Sequence, residues 1–149
     1  MKTLFDAADR EELVARIRAL QPEAARQWGK MNPAQMLCHC TRPLESATGD
    51  RPVKQKFLGK ILTPLIRSSI FSDKPFSKNS PTDPTFVVAD ERDFAEERAK
   101  LLTLIERLVA RGPAAAGDAP HSFFGKLSGE EWGQLMYKHI DHHLQQFGV

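Results

Sequence analysis

Met136-Tyr-Lys-His139-Ile-Asp-His142-His143-Leu-Gln-Gln146 decides how this chain of 149 residues folds. At about 100° per residue in an α-helix, Trp132, Leu135, Met136, His139, His143 and Gln146 fall in one stripe, so two imidazoles stand one above the other on an apolar, inward face. An inward pair of imidazoles needs partners. Either each ring is a core histidine hydrogen-bonded to a carbonyl, or the pair grips one metal ion, with Gln146 a turn further along orienting a ring. The spacing of four, together with that glutamine, favours the ion.

Such a site needs a third ligand. The five histidines are 39, 121, 139, 142 and 143. His142 lies about 60° off the 139/143 stripe, which leaves His39 and His121. His39 is the better candidate because Asn32-Pro-Ala-Gln35 reads as a helix start: Asn32 the N-cap, Pro33 the first helical residue, Gln35 the far member of a capping box. That places His39 two turns inside a helix. His121 follows Gly117-Asp-Ala-Pro120 and precedes Ser122-Phe-Phe-Gly125, so it belongs to a loop, as a pocket-rim residue or an ordinary loop histidine. Cys38 and Cys40 flank His39 but point to either side, and read as small core residues that cannot pair with each other.

The length suits a single domain, 1–149, with one core. A net charge of +2 and a pI of about 8.6, with no dense basic face carrying interleaved aromatics, give no support for a nucleic-acid partner. The N-terminus reaches acidic residues before any apolar run, no stretch approaches a membrane span, and the cysteines form no disulfide framework, so a cytoplasmic protein without a membrane partner is expected.

Four helices read clearly. The first runs from Ala8 to Leu20, with Pro22 beyond it; the second from Pro33 to Thr48, with Pro43 inside it. Pro43 should kink that helix near the carbonyl of His39, a kink either tolerated or opening a pocket beside the ligand. The third runs from Asp90 to Arg111, stopped by Gly112-Pro113, with Pro113–Gly117 a flexible tether. The last begins at the capping box Ser128-Gly-Glu-Glu131 and runs almost to the chain end. Between the second and third, Val53 to Phe71 repeats apolar residues helically, with Arg51, Lys54, Lys56, Lys60 and Arg67 and no acid between Asp50 and Asp73. This extra amphipathic insertion (basic segment 51–67) is expected to cover the core with a solvated basic face, in preference to binding a membrane or phosphate, although an anionic substrate would find its field favourable. Asp73 to Pro84 reads as a structureless crossing loop, and no strand is convincing, although Thr85-Phe-Val-Val88 could extend briefly. Trp28-Gly29 should tuck an aromatic onto the bundle end. The expected fold is all-α, an up-and-down four-helix bundle with one long crossover.

Trp28-Gly-Lys-Met31, Gln35-Met-Leu-Cys-His39, Phe123-Phe-Gly-Lys-Leu127, Glu131-Trp132-Gly and His139-Ile-Asp-His142-His143-Leu-Gln-Gln-Phe-Gly148 together resemble a branch of the DinB/YfiT-like superfamily, four-helix bundles described as metalloenzymes. Its pattern of one histidine on the second helix and a His-x-x-x-His pair on the last, followed by glutamine, falls here on His39, His139, His143 and Gln146. The resemblance spans nearly the whole chain and implies a metal held by three histidines with a water-filled fourth position. It also implies activity as a hydrolase or a thiol transferase. Homodimerisation is expected from the resemblance and from the apolar face of residues 57 to 66.

Three neutral imidazoles suit zinc or nickel, and leave a water or a thiol in an open position strongly polarised. The expected partner is a small-molecule substrate, such as a low-molecular-weight thiol. Asp141 and Glu45 point away from the histidines, so no carboxylate base is evident, and His142 or His121 serves only if the pocket reaches it. Binding needs neutral rings, which sets an expected loss of the ion near pH 6.5. A non-catalytic metal-binding bundle, structural or sensing, is the alternative, and a metal-free bundle with satisfied histidines is the blandest reading.

Overall fold

The computed structural model describes residues 1–80 and 83–149. It is mostly helical, as expected, with five α-helices: α1 (Ala7–Ala19), α2 (Pro33–Ala47), α3 (Phe57–Ile70), α4 (Phe94–Ala116) and α5 (Gly129–Gln145). Two strands of two residues, β1 (Pro120–His121) and β2 (Gly125–Lys126), pair antiparallel in a hairpin that the sequence does not announce.

The helix starts follow from side chains that satisfy the free N–H groups of a first turn. Asp6 accepts from the Asp9 amide at α1, and Asp93 does the same for Glu96 at α4. Both anticipated capping boxes form, Asn32 with Gln35 and Ser128 with Glu131. Gln35 also donates to the Asp90 carbonyl at 3.1 Å, tying the start of α2 to the approach of α4. α2 continues through Pro43 to Ala47.

Several expectations need correction. α4 starts at Phe94 rather than about Asp90, and Gly112-Pro113 breaks it where expected, but the chain after the break is not a tether. Gly112 takes φ 75° and ψ 167°, a break in helical geometry, after which residues 113–116 wind again, so the supposed tether is a last helical turn. Residues 84–86 form a 3₁₀ turn and the chain extends only from Val87, because Asp83 accepts from both the Thr85 amide at 2.9 Å and the Thr85 hydroxyl at 2.7 Å and so curls the chain. Of the crossing loop, residues 81 and 82 lie outside the described residues.

The core joins Leu13 and Ile17 of α1, Met36, Leu37 and Leu44 of α2, Leu101, Ile105 and Leu108 of α4, and Trp132, Ile140 and Leu144 of α5. α2 packs on α4 and α5, while α1 leans on α5. Each such leucine, fully removed from water, contributes about 1.5–3 kcal/mol. α3 reaches this core only at its end, where partly buried Ile70 packs against it; its buried residues are Gly59 and Thr63, and Phe57, Leu58, Ile61 and Leu65 are exposed. The insertion therefore does not cover the core with its apolar face. No helix among the described residues is long and apolar enough to cross a membrane.

Candidate metal centre

The adjacency of α2 and α5 brings His39 against His139 and His143. One ring nitrogen from each histidine lies within 4.8 Å of the others. His39 Nε2 and His139 Nε2 are 3.0 Å apart, and His39 is buried while the other two rings are partly exposed. Ligation at about 2.1 Å per nitrogen spans at most about 4.2 Å between two ligands, a limit that the His39–His139 pair already meets.

Two rings are oriented from behind. His39 Nδ1 lies 2.9 Å from the Phe86 carbonyl; a carbonyl only accepts, so Nδ1 carries the proton and Nε2 presents its lone pair inward. His143 Nδ1 lies 2.9 Å from Gln146 Oε1. The glutamine cannot be reversed, because its Nε2 donates to the Trp28 carbonyl at 2.7 Å. His143 thus also donates through Nδ1 and keeps Nε2 free. Trp28-Gly29 therefore does more than fill the bundle end. Gly29 holds φ +78°, and a Cβ there would sit 2.4 Å from Gln146 Nε2, so only glycine lets the chain come this close.

The reading of satisfied core histidines accounts for His39, which has a carbonyl partner, and accounts for only one nitrogen of His139, whose Nε2 lies within hydrogen-bond distance of His39 Nε2. The buried Nδ1 of His139 has no hydrogen-bond partner among the described residues. With three inward nitrogens and no anion among them, the cluster could hold a divalent ion.

Electrostatics keep the rings in the ligating form. Burial lowers the pKa of His39, and burial with the neighbouring histidines holds His139 well below the ordinary imidazole value. Burial, then His39, pushes His143 down to about 3, against the opposing Gln146 bond. Relative to an ordinary imidazole titrating near pH 6.5, burial therefore shifts all three rings toward the neutral form.

His121 and His142 stand outside the triangle. His121 Nδ1 accepts from the Phe123 and Phe124 amides at 3.0 and 3.2 Å, so it locks the β1–β2 hairpin. Burial lowers its pKa to about 4. His142 sits between Trp28 and Phe76, ring centroids 5.5 and 5.9 Å away. Cys38 and Cys40 are buried and free, with the Cys40 thiol directed at Met36 Sδ, 3.7 Å away. Asp141 is taken by Arg16 at 2.6 Å and Glu45 by Lys100 at 2.5 Å, so both carboxylates are turned from the centre as anticipated.

A backbone brace completes the site. Lys56 pairs with Asp83, whose carboxylate shapes the turn that offers Phe86 oxygen to His39. The Lys56 amide also donates to the Ser122 carbonyl at 2.8 Å, and Gln55 donates to the Phe123 carbonyl at 2.9 Å, fastening the insertion to the hairpin. The sequence signal for the turn is Asp83-Pro84-Thr85, an Asx-turn pattern. Nothing local marks Phe86 itself as a partner of His39.

These features define a helical protein with a three-histidine cluster between two helices. The chain belongs to the family described as protein of unknown function (DUF1569), which matches residues 2–148. No curated protein and no solved structure matches it.

Proposed function

We propose that His39, His139 and His143 bind one divalent ion, zinc or nickel, and that the protein is a metal-dependent enzyme of hydrolase or thiol S-transferase type acting on a small molecule. The observation that carries this reading is the convergence of three neutral ring nitrogens, two of them aimed by Nδ1 hydrogen bonds and the third left with an unpartnered Nδ1. An ion bound there supplies Lewis acidity, lowering the pKa of a water or thiol in an open position toward neutrality. The partial exposure of His139 and His143 supports that open position on their side. The chain's own part is to hold the nitrogens in place, through Phe86, Gln146 and Trp28, and to keep them unprotonated by burial.

The fold that goes with this reading is an up-and-down four-helix bundle of DinB/YfiT-like kind, α1, α2, α4 and α5, with α3 inserted in the crossover. The packing of α2 on both α4 and α5 supports it. A non-catalytic metal bundle is the second reading, favoured by the absence of any carboxylate from the histidine cluster among the described residues.

Elemental analysis of protein purified without an affinity tag is expected to give one zinc or nickel per chain. X-ray absorption should show three nitrogen ligands plus one exchangeable oxygen. His39→Ala, His139→Ala and His143→Ala should each abolish tight binding, while His142→Ala keeps it. Equal loss with His142→Ala overturns the ligand set, and four protein ligands without an exchangeable oxygen leave a structural metal.

A further inference from the structure

We propose that α3 is a peripheral docking element for an anionic lipid surface. This inference stands apart from the metal reading and rests on how α3 is mounted. Gly59 and Thr63 face the hairpin: a Cβ on Gly59 would fall 2.2 Å from the Phe123 carbonyl, and the Thr63 hydroxyl donates to that same oxygen at 3.2 Å. The side held against the protein thus meets backbone through small residues, with half-buried Leu62, Ile66 and Ile70 beside them. Phe57, Leu58, Ile61 and Leu65 occupy about 100° of arc on the opposite side, and they are 78, 60, 53 and 74 % exposed. A helix that turns its largest apolar side chains to solvent has its apolar face unpartnered.

Charge selects the occupant. Around this stripe stand Arg51, Lys54, Lys56, Lys60 and Arg67, and no acid occurs between Asp50 and Asp73. Lys56 and Arg67 are engaged by Asp83 and Glu131, and Arg51 lies 4.0 Å from Glu45. Lys54 and Lys60 are exposed and form no ion pair among the described residues. An apolar stripe flanked by free lysines is the composition that seats a helix in the plane of an acidic bilayer interface, apolar side chains among the acyl chains and ammonium groups at the headgroups. A second copy fits less well, since two such faces would oppose like charges, and four side chains fall short of the ~800 Å² per partner of a stable dimer. Lys138 donates to the Ile70 and Ser72 carbonyls, both at 2.8 Å, and so anchors the end of α3 to α5. The helix is therefore presented on a fixed mount.

The test is co-sedimentation of the full chain with vesicles of phosphatidylcholine containing about a quarter phosphatidylglycerol, and with pure phosphatidylcholine, at about 0.15 M salt. The wild type should pellet with the acidic vesicles and remain in solution with the neutral ones. A variant carrying Leu58→Ser, Ile61→Ser and Leu65→Ser should bind at least about tenfold more weakly, and Lys54→Ser with Lys60→Ser about tenfold more weakly. The changes lie on exposed positions, and circular-dichroism melts should match wild type. Phe57→Ser alone, at the most exposed position, should weaken binding several-fold and provides the check should the triple variant misfold. Sedimentation unchanged by the apolar substitutions would assign the binding to charge alone and overturn the proposal. Failure to bind acidic vesicles overturns it as well. So does a wild-type dimer in light scattering that Leu58→Ser, Ile61→Ser and Leu65→Ser convert to monomer, because the face is then covered by a second copy.

Discussion

Gln146 is the residue on which the centre turns, since its amide oxygen faces His143 and its amide nitrogen is held by the Trp28 carbonyl. Replacing it by leucine removes the bond that fixes the ring's tautomer, and the affinity for zinc should fall about 10–100-fold in competition with a chromophoric chelator. Gly29→Ala should act in the same direction, because a Cβ there collides with the same amide nitrogen. An unchanged affinity in both variants would show that His143 needs no such support. His121 makes a separate prediction. Its folded pKa is pushed down to about 4 by burial, whereas in the unfolded chain it titrates near 6.5. Between those values the unfolded state binds the proton that the folded state refuses, so stability is complete above pH 6.5 and declines as pH falls through the window toward 4. The three clustered histidines shift in the same sense. Urea unfolding of the wild type at pH 7.5 and 5 should show the loss, and His121→Asn should show a smaller one; identical curves at the two pH values would contradict the burial argument. The proximity of His139 and His143 was legible from spacing alone, because a helix converts an interval of four into proximity. The Phe86 and Trp28 carbonyls were not, because every residue carries a carbonyl and only the tertiary fold selects which one reaches a ring.

At the scale of elements, capping chemistry was the most legible layer: Asn32, Gln35, Ser128 and Glu131 act locally, and their bonds form as the side chains dictate. The Gly112-Pro113 break was legible, but the helical turn that follows it was not, for a physical reason. Glycine permits a break and proline tolerates the first turn of a helix, so the pair serves equally to end one helix or to start another. What decides is packing. Gly129 at the start of α5 lies so close to the restarted turn that an added Cβ would be 1.6 Å from the Pro113 carbonyl, whereas a Cβ on Gly112 would meet nothing within 4 Å. Gly112→Ala should therefore cost only the backbone penalty of a positive φ with extended ψ, about 1–3 kcal/mol. Gly129→Ala forces backbone apart and should cost about 3 kcal/mol or more. Denaturant unfolding of the two variants ranks them, and the reverse order would mean that the α4 and α5 ends do not pack this way. The amphipathic pattern of residues 57 to 66 was equally ambiguous, since periodicity reports that a helix has an apolar face without saying what meets it.

For the whole molecule, the histidine centre ties together parts of the chain that local structure alone would leave independent: His39 on α2, the Phe86 turn after the insertion, and His139 and His143 on the final helix. An ion that binds only this assembled arrangement stabilises the fold by mass action, about 2.7 kcal/mol at a hundred times its dissociation constant. For a chain of this size that corresponds to a melting-temperature rise of roughly 5–10 °C. Addition of a strong chelator should remove it, and His139→Ala should melt at the same temperature with and without the chelator. The pH dependence sharpens the test. Were the rings to titrate at the ordinary imidazole value, the metal-dependent increment would fade between pH 7.5 and 5.5. Burial instead holds His143 near 3 and His139 well below its usual range, so protons compete with the ion only at lower pH. The chelator-sensitive increment should therefore persist at pH 5.5, even as the baseline stability of the protein declines with protonation of the unfolded chain. Scanning calorimetry of metal-loaded and chelator-treated protein at the two pH values separates these contributions, and an increment that vanishes at 5.5 would show that the native rings are more accessible to protons than their burial implies.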